Sequence, residues 1–459
     1  MKADRNRQKL ALQGGLKAVG AMEGKGKPKI GAEEFLSVAA RFGLSKKSLS
    51  QIRKIVAKEE WGVGPYFANY YSDLKETMVQ AYEREARKLF GTKFAIGVSS
   101  GTGALHCAFV AAGVGPGKEV ICSAIGFFAT AAAVVISKGV PVFCDVDESL
   151  HMDPAKIEAL ITDRTVAIAV THVMGGVANM PAIMAIARKH KLMVIEDCAQ
   201  SCAASIKGRY AGTYGDIGCF SISAYKIVGG GEGGLIIMND QRLWDRAQGM
   251  AEGGGLWRPD RFGPPRYEGE LFCGTNYRMS ELEAAVDVVQ IRKSTAVVKR
   301  FNAVKQRVCG RLKTYREITP QKSNDVNGEV GYMLRFFPET IELGERIVTA
   351  LRAEGVNCGM RGKNAPPDWH VYHDMMPLKS KAGATTPDCS FYCRQYTERG
   401  GKVRFDRGTC PVADDLFDRV ITVGLNQWMS ARDCQNMALG INKVLSAYCA
   451  EDQKGAAWC

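Results

Sequence analysis

Short apolar runs rich in β-branched residues recur through the middle of the chain, and each has the length of a strand. Stretches with the periodicity of an amphipathic helix separate most of these runs. Buried strands that alternate with helices are typical of a largely parallel sheet covered on both faces, so the predicted fold class is α/β. The predicted strands are FAIGVSS, EVICSA, PVFCDV, VAIAVTHV, LMVIED, GCFSIS and GGLIIMN.

The same patterns divide the chain into four predicted regions. Residues 1–75 form a basic N-terminal extension with short helices, and residues 76–312 form a large domain that contains the predicted sheet. Residues 313–450 contain further strand and helix patterns, which indicate a smaller C-terminal α/β domain. The last residues, 451–459, are predicted to be a loose tail.

Composition excludes several classes of protein. Apolar residues make up 46% and charged residues 24% of the 459 residues, as in an ordinary soluble globular chain. No apolar run reaches 18 residues, and the N-terminus lacks the apolar core of a secretory signal. We therefore expect a cytoplasmic protein with no membrane partner.

The basic charge is concentrated at one end of the chain. The formal net charge is +13, of which the first 60 residues contribute +8. No aromatic residues interleave with the basic residues of this extension to stack on bases, so nucleic acid is not expected as a partner. An anionic substrate or a solvated arm explains the charge.

The 15 cysteines have no spacing typical of a disulfide framework or a zinc site. Cys198, Cys202 and Cys219 lie inside or beside apolar runs. Small buried thiols in a reducing compartment are therefore favoured over disulfides, and no metal site is predicted.

Two motifs come at predicted strand ends. In FAIGVSSGTGALHCAF, a strand leads into a helix near Thr102, where free N–H groups and the hydroxyls of Ser100 and Thr102 offer an anion site; simple capping is the alternative. In VIEDCAQS, Glu196 and Asp197 end a strand at the ligand-binding edge of such a sheet. An acid there could hold a protonated ring nitrogen, or it could cap a helix.

Two further motifs lie downstream. FSISAYKIVGGGEGG places Lys226 at a strand end before five glycines, and Ser221 lies five residues earlier, where it could face an anion. Such a lysine can form a Schiff base, or it can be a surface residue before a hairpin turn. In GTNYRMSELEAA, Asn276 and Arg278 form an anion-binding pair or a structural capping loop. Together the four motifs provide what the phosphate, ring nitrogen and aldehyde of pyridoxal 5′-phosphate (PLP) require.

The order of these motifs resembles the DegT-type sugar aminotransferases, which are fold-type-I PLP-dependent enzymes. Members typically read SGT-A-LH-AL, FVATANAV---GA-PVF-D-D, EDAAQS-GA, FSF---K-----GEGG and NYRM-E-QAA. The resemblance is dense over residues 80–300 and loose beyond them. It implies a large domain with a mostly parallel seven-stranded sheet and a smaller C-terminal α/β domain. The corresponding segments here are SGTGALHCAF, FFATAAAVVISKGVPVFCDVD, EDCAQSCAA, FSISAYKIVGGGEGG and NYRMSELEAA.

The resemblance implies a role for each matched residue. Lys226 corresponds to the lysine that forms the Schiff base, and Asp197 to the acid that pairs with the pyridine nitrogen. Gln200 corresponds to the residue near the phenolic oxygen, and Phe127 to the aromatic residue that stacks on the ring. Cys198 stands where alanine is commoner, a mild departure that should leave its neighbour in place.

On the phosphate side, the resemblance implies contacts from Gly101, Thr102 and Ser221. Asn276 and Arg278 correspond to groups that reach the phosphate from the neighbouring subunit. A homodimer with shared active sites is therefore the expected active unit.

The stretch PPDWHVYHDMMPL departs from the segment that most relatives carry. It resembles a subgroup that includes 8-amino-3,8-dideoxy-manno-octulosonate transaminases. Trp369, His370 and Tyr372 are accordingly predicted to shape the substrate pocket, with a buried aromatic plug as the alternative.

The implied activity is transfer of an amino group from glutamate or glutamine to a keto-sugar or related polyhydroxylated ketone. The reaction has two halves, and Lys226 moves the proton in each. One alternative is a PLP-dependent sugar dehydratase, in which histidine replaces this lysine. Another is a non-catalytic regulator that binds nucleic acid through the basic arm, for which eroded cofactor positions would be expected; none is eroded here.

Overall fold

The seven predicted strands form one sheet, and helices lie between most of them. The computed structural model describes residues 9–20, 29–61, 67, 75–381 and 390–459. The strands in this part of the chain are β1 (Phe94–Val98), β2 (Glu119–Ser123), β3 (Val140–Cys144), β4 (Thr165–Thr171), β5 (Met193–Asp197), β6 (Ser205–Ile206), β7 (Arg209–Tyr210), β8 (Ile217–Ser221), β9 (Gly234–Met238), β10 (Ile318–Pro320), β11 (Met333–Pro338), β12 (Cys358–Gly359) and β13 (Ile421–Gly424).

The large sheet has the strand order β1-β9-β8-β5-β4-β2-β3. Only β9 runs antiparallel to its two neighbours, β1 and β8. Alternate residues of a strand enter separate apolar clusters, as Ile96 and Ala95 of β1 do, so both faces of the sheet are buried. The predicted mostly parallel seven-stranded sheet is confirmed.

The first two α-helices of the described residues lie in the N-terminal unit, Met1–Lys75, and the later ones lie in the unit that contains this sheet and a second, smaller one. They are α1 (Ala32–Ala40), α2 (Lys46–Val56), α3 (Met78–Phe90), α4 (Gly101–Ala111), α5 (Ala129–Ile136), α6 (Pro154–Ile157), α7 (Met180–His190), α8 (Gln241–Ala251), α9 (Glu281–Cys309), α10 (Ile341–Ala353), α11 (Met376–Lys379), α12 (Arg394–Thr397), α13 (Pro411–Arg419) and α14 (Ala431–Tyr448).

The long helix α9 is anchored to α3 at its first turn. The Ser280 hydroxyl accepts a hydrogen bond from the Leu282 N–H at 3.3 Å and caps α9. The carboxylate of Glu281 accepts hydrogen bonds from the N–H groups of Met78 and Val79 at 2.7 and 3.2 Å. These N–H groups have no partner within α3, so one helix start fixes the other.

The second sheet is antiparallel, with the order β10-β11-β13-β12. The apolar runs YMLRFF and VITVGL predict β11 and β13, whereas β10 and β12 have only three and two residues and show no periodicity. Tyr372 and Phe405 come after β11 in sequence but join the apolar cluster of the large sheet. Residues beyond position 312 thus help to complete the core of the large domain. The domain boundary at residue 312 stays a prediction.

The C-terminal residues are packed rather than loose. Trp458 is buried, its ring centroid lies 5.3 Å from that of Phe336, and its indole N–H donates to the Lys313 carbonyl at 2.8 Å. Cys459 forms a disulfide with Cys309. Burial of the indole offsets the entropy of ordering the tail.

The described cysteines otherwise follow the prediction. Twelve of them are free thiols, most of them buried. The Cys309–Cys459 pair departs from it, because the long-range packing of the tail brings two distant sulfur atoms together.

The chain forms two units, Met1–Lys75 and Glu76–Cys459. Within the first, the Phe35 and Trp61 ring centroids lie 6.0 Å apart, and the Trp61 indole N–H donates to the Val56 carbonyl at 3.2 Å. Much of the predicted basic arm, including residues 1–8 and 21–28, lies outside the described residues. None of the described helices combines the length and apolar character needed to cross a membrane.

Candidate active site

Most of the predicted site residues lie at the carboxyl ends of the parallel strands. Asp197 is the last residue of β5, and Ser221 is the last residue of β8. Gly101 follows β1, and Phe127 follows β2. Strands of a parallel sheet bring their carboxyl ends to one edge, so residues distant in sequence meet there.

Asp197 is a buried acid held by two hydrogen bonds. Its Oδ2 accepts from the Thr130 hydroxyl at 2.5 Å, and its Oδ1 accepts from the Ala199 N–H at 3.0 Å. The next element after β5 is the short strand β6, so Asp197 does not cap a helix. The helix-cap alternative is therefore wrong, and the carboxylate is oriented by Thr130, a residue that the sequence reasoning missed.

Glu196, the other acid of this motif, is used structurally. Successive strand residues point to opposite faces, so its side chain lies away from that of Asp197. Its carboxylate accepts hydrogen bonds from the N–H groups of Gly212 and Gly215 at 2.9 and 2.6 Å and pairs with His172 Nε2 at 2.9 Å. These contacts occupy both carboxylate oxygens.

The predicted anion site lies at the start of α4, beside Ser221. Ser100 caps the helix by accepting a hydrogen bond from the Gly103 N–H at 3.0 Å, so the capping alternative holds for this hydroxyl. A Cβ atom at Gly101 would lie 2.7 Å from the Ser221 Cβ, which excludes any larger residue. Gly101, the exposed Thr102 and Ser221 therefore meet at the positive end of an 11-residue helix.

Lys226 lies on the loop between β8 and β9. Hydrogen bonds from the Ala224 N–H to the Gly231 carbonyl and from the Lys226 N–H to the Ser223 carbonyl, both 2.9 Å, close this loop. Its ammonium makes no hydrogen bond or ion pair with the residues that the structure describes. Together with Gln200 it lines a cavity of about 890 Å³. Gln200 is itself fixed, because its Oε1 accepts from the Met174 N–H at 2.8 Å.

A neighbouring cavity of about 870 Å³ is lined by Phe127, Trp369 and His370. The Gly126 N–H donates to the His370 carbonyl, and the Phe128 N–H donates to the Trp369 carbonyl, each at 2.9 Å. The Phe127 and His370 rings lie 5.2 Å apart between centroids. Trp369 is 42% exposed, so it is not a buried aromatic plug.

His370 forms a pair with Asp368, and both residues line the two cavities. The distance from His370 Nδ1 to Asp368 Oδ1 is 2.8 Å, and this hydrogen bond helps to hold the pKa of Asp368 below its ordinary value. Tyr372 is a correction to the predicted pocket. It is fully buried, its hydroxyl accepts from the Cys410 N–H at 2.9 Å, and it lines neither cavity.

Asn276 and Arg278 lie on a segment beside β1 of their own chain. Arg278 pairs with Val98 through the backbone, and Asn276 pairs with Glu252. Burial raises the pKa of Glu252 to about 7, against the opposing charges of Arg278 and Arg261. Neither Asn276 nor Arg278 lines the Lys226 cavity, so their contact with a neighbouring subunit's phosphate stays a prediction.

Sequence reasoning missed two contributors, Thr130 and Asp368. Thr130 follows Phe127 by three residues and Asp368 precedes His370 by two, so proximity to a matched residue was the available signal. The contacts of these residues involve side chains that are distant in sequence, as the hydrogen bond between Thr130 and Asp197 shows, so the sequence does not reveal them.

The arrangement fits PLP. Its ring nitrogen is matched by a buried, oriented acid, and its aldehyde by an unpaired amine on a cavity wall. Its phosphate is matched by the helix start where Gly101 lies against Ser221. The roles assigned to individual residues stay predictions.

Comparison with known proteins identifies the family. Residues 73–386 match the model of the DegT/DnrJ/EryC1/StrS aminotransferase family. The UDP-N-acetyl-3-dehydro-α-D-glucosamine 3-aminotransferase of Acidithiobacillus ferrooxidans is 38% identical over 282 residues, 60% of this chain and 72% of the relative. The L-glutamine:2-deoxy-scyllo-inosose aminotransferase of Streptoalloteichus tenebrarius is 34% identical over 276 residues, 59% of this chain and 62% of the relative.

A solved structure agrees with this family match. The aminotransferase from Psychrobacter cryohalolentis superposes with a TM-score of 0.66 at 25% identity, over 83% of this chain and 99% of that one. Fold, motif order and family match all point the same way. The chain therefore belongs to the DegT/DnrJ/EryC1/StrS aminotransferase family and is a PLP-dependent aminotransferase.

Proposed function

We propose that this enzyme moves an amino group from glutamate or glutamine to the carbonyl of a keto-sugar or related polyhydroxylated ketone. The observation that carries the proposal is a single cavity of about 890 Å³, whose lining includes Lys226, Gln200, Asp368 and His370. The amine and the polar pair thus face the same space. The relatives named for a 3-dehydro sugar and for an inosose support a polyhydroxylated acceptor.

Each matched residue, in the Lys226 cavity or beside it, has a defined task in this proposal. The Lys226 amine would hold the cofactor covalently and, once freed, would take the proton from the Cα of the amino donor in the first half-reaction and deliver a proton to the carbonyl carbon of the acceptor in the second. When bound, PLP supplies an electron sink for that carbon. The Asp197 carboxylate holds the ring nitrogen protonated, since an opposite charge in a buried site favours the charged form. Phe127 and Gln200 orient the ring.

The phosphate would be held by Gly101, Thr102 and Ser221 at the start of α4, where helix N–H groups are unpaired. Trp369 offers an apolar face to a sugar ring, and the His370–Asp368 pair offers a donor and acceptors to its hydroxyls. These polar groups are the proposed source of specificity for a polyhydroxylated acceptor.

The acceptor is tested with enzyme loaded with pyridoxamine 5′-phosphate and mixed with one ketone at a time. The panel holds a nucleotide-linked keto-sugar, scyllo-inosose and an octulosonate oxidised at C8, with 2-oxoglutarate as the control for the donor side. We expect the absorbance of the PLP form to return with 2-oxoglutarate and with one sugar class. Return with 2-oxoglutarate alone would contradict the proposed acceptor, and loss of water from a keto-sugar without amination would favour a dehydratase.

The proposed active unit is a homodimer. Tyr225, next to Lys226, is 100% exposed, and Phe262 is 96% exposed. Large aromatic side chains that are exposed on a single chain support a surface that a second copy covers. The corresponding location is the cytoplasm, which the many free thiols support.

Subunit sharing is tested by mixing two variants that are each inactive, Lys226→Ala and Arg278→Ala. If Arg278 serves the neighbouring subunit's phosphate, a mixed dimer has one site with both residues intact and one site with neither. We then expect partial recovery of activity after subunit exchange, approaching about half of the wild-type activity per mixed dimer.

The contrary result is equally definite. Because Arg278 pairs with Val98 of its own chain, it could instead serve its own site. Mixed dimers proven by differently tagged subunits, yet without activity, would place both residues in one chain's site and remove the argument for an obligate dimer.

A further inference from the structure

The glycine segment after Lys226 lies directly against two carboxyl groups of α9. A Cβ atom at Gly230 would lie 2.3 Å from Asp287 Oδ1 and 2.8 Å from Glu283 Oε1. A Cβ atom at Gly231 would lie 2.7 Å from Glu283 Oε2. A side chain at either position would displace the carboxyl groups, so the glycines allow the segment to lie against the two acids as they are placed here.

Glu283 and Asp287 are one helical turn apart, which places their carboxyl groups side by side. Asp287 is fully buried, and neither of its oxygens accepts a hydrogen bond from an N–H or O–H group of the described residues. Two adjacent carboxylates, one buried and one half-buried, cannot both be charged at low cost. Burial first, and then the neighbouring Glu283, raise the pKa of Asp287 to about 8, and burial raises that of Glu283 as well.

The groups that face this pair from other elements do not neutralise it. Glu232, on the glycine segment, adds another carboxyl group near Glu283. Tyr82, on α3, adds a phenol group that interacts with Asp287 and Glu283. Burial raises the pKa of the Tyr82 hydroxyl. The carboxyl group of Glu83, also on α3, raises this pKa further together with those of Asp287 and Glu283. No ion pair joins Glu283 or Asp287 to a basic side chain in the described part of the chain. A single proton held between the two carboxyl groups would lower the cost of placing them side by side.

We propose that Glu283 and Asp287 share one proton and act as positioning residues for Lys226, by holding residues 229–234 against α9. The coupling is through the backbone: the Ala224 N–H donates to the Gly231 carbonyl, and the Ile222 N–H donates to the Gly233 carbonyl, each at 2.9 Å. The glycine segment and the lysine segment are thus two sides of one closed loop. The inference rests on the proposed role of Lys226.

The family motif supplies a matched variant. Where relatives read NYRM-E-QAA, this chain has Glu283 at the glutamine position. A carboxamide donates a permanent N–H to Asp287, in place of a proton that leaves at high pH. Glu283→Gln should therefore keep the contact while removing its dependence on pH.

The direction of that dependence follows from the raised pKa of Asp287. The folded state binds the proton more tightly than the unfolded state, so stability from this site falls as pH rises from 3.8 to about 8 and is lost above it. At pH 9, one unit above a pKa of about 8, the deprotonated form exceeds the protonated form about tenfold.

The test is hydrogen exchange of the amides of residues 227–234 in the cofactor-loaded, full-length enzyme at pH 7 and pH 9. Exchange rates are corrected for the intrinsic effect of pH. In the wild type, and in the exposed control Glu342→Gln, we expect the corrected exchange to rise about tenfold at pH 9. Glu283→Gln should stay protected at both pH values, and Asp287→Ala should be unprotected at both.

Equal protection of the wild-type loop at pH 7 and pH 9 would overturn the proposal. An equal rise in Glu283→Gln and the wild type would overturn it as well. The pH dependence of the melting temperature gives a second readout, which should flatten in Glu283→Gln. Failure of the proposed function is distinguishable, because it is judged by the activity of Lys226→Ala and not by loop exchange.

Discussion

Replacing Lys226 with alanine is expected to lower the rate of amino transfer by at least about 10³-fold, because one amine serves as covalent anchor and as proton carrier. The fold should survive the change. The ammonium makes no hydrogen bond or ion pair with the described residues, and the loop is closed by backbone hydrogen bonds that alanine keeps. The loss would therefore report chemistry rather than unfolding.

The measurement is a single-turnover rate with glutamate or glutamine, alongside the absorbance of the bound cofactor. Lys293→Ala, an exposed lysine of α9, is the matched control and should retain the wild-type rate. A circular dichroism melt of both variants checks the fold. Amino transfer by Lys226→Ala at a rate near the wild type would exclude this lysine as the proton carrier.

Replacing Asp197 with asparagine is expected to lower the rate by about 10²–10³-fold, since a preorganised charge aimed at the reacting system is removed. The amide preserves much of the local geometry. Its oxygen can still accept from the Ala199 N–H, and its NH₂ group can donate to the Thr130 hydroxyl. What is lost is the negative charge that holds a pyridinium proton.

Thr130→Val is the control that separates charge from orientation. It removes the hydrogen bond of 2.5 Å to Asp197 and leaves the carboxylate in place. We expect a smaller loss of rate than in Asp197→Asn, and cofactor retention during dialysis that falls mainly in the asparagine variant. If Asp197→Asn kept its activity and its cofactor, the only role left for the acid would be structural, through its hydrogen bond with the Ala199 N–H.

Local patterns predicted most of the large domain. Each strand of the main sheet lies within or beside a predicted apolar run, as Phe94–Val98 lies within FAIGVSS. The helical pattern of residues 280–312 predicts one long helix, which the structure shows as Glu281–Cys309. Strand and helix periods are properties of neighbouring residues, so a single sequence reveals them.

The site could be predicted only in part. Lys226, Asp197 and Gly101 stand in motifs whose residue types carry their chemistry, and the structure places them at one edge of the sheet. Tyr372 belonged to an equally suggestive motif but is buried and lines neither cavity. Its direction is set by packing against the large-domain core, which no local pattern records.

By itself, the sequence determined the α/β class, the order of the motifs and the presence of residue types suited to a PLP cofactor, because these follow from short-range patterns. The tertiary structure decided which side chains meet. It brought Thr130 to Asp197 across 67 residues, placed the Gly230 backbone against Asp287, and closed the tail on Cys309. Such contacts depend on strand order and on the burial of distant apolar groups, and those are settled by the free energy of the whole chain.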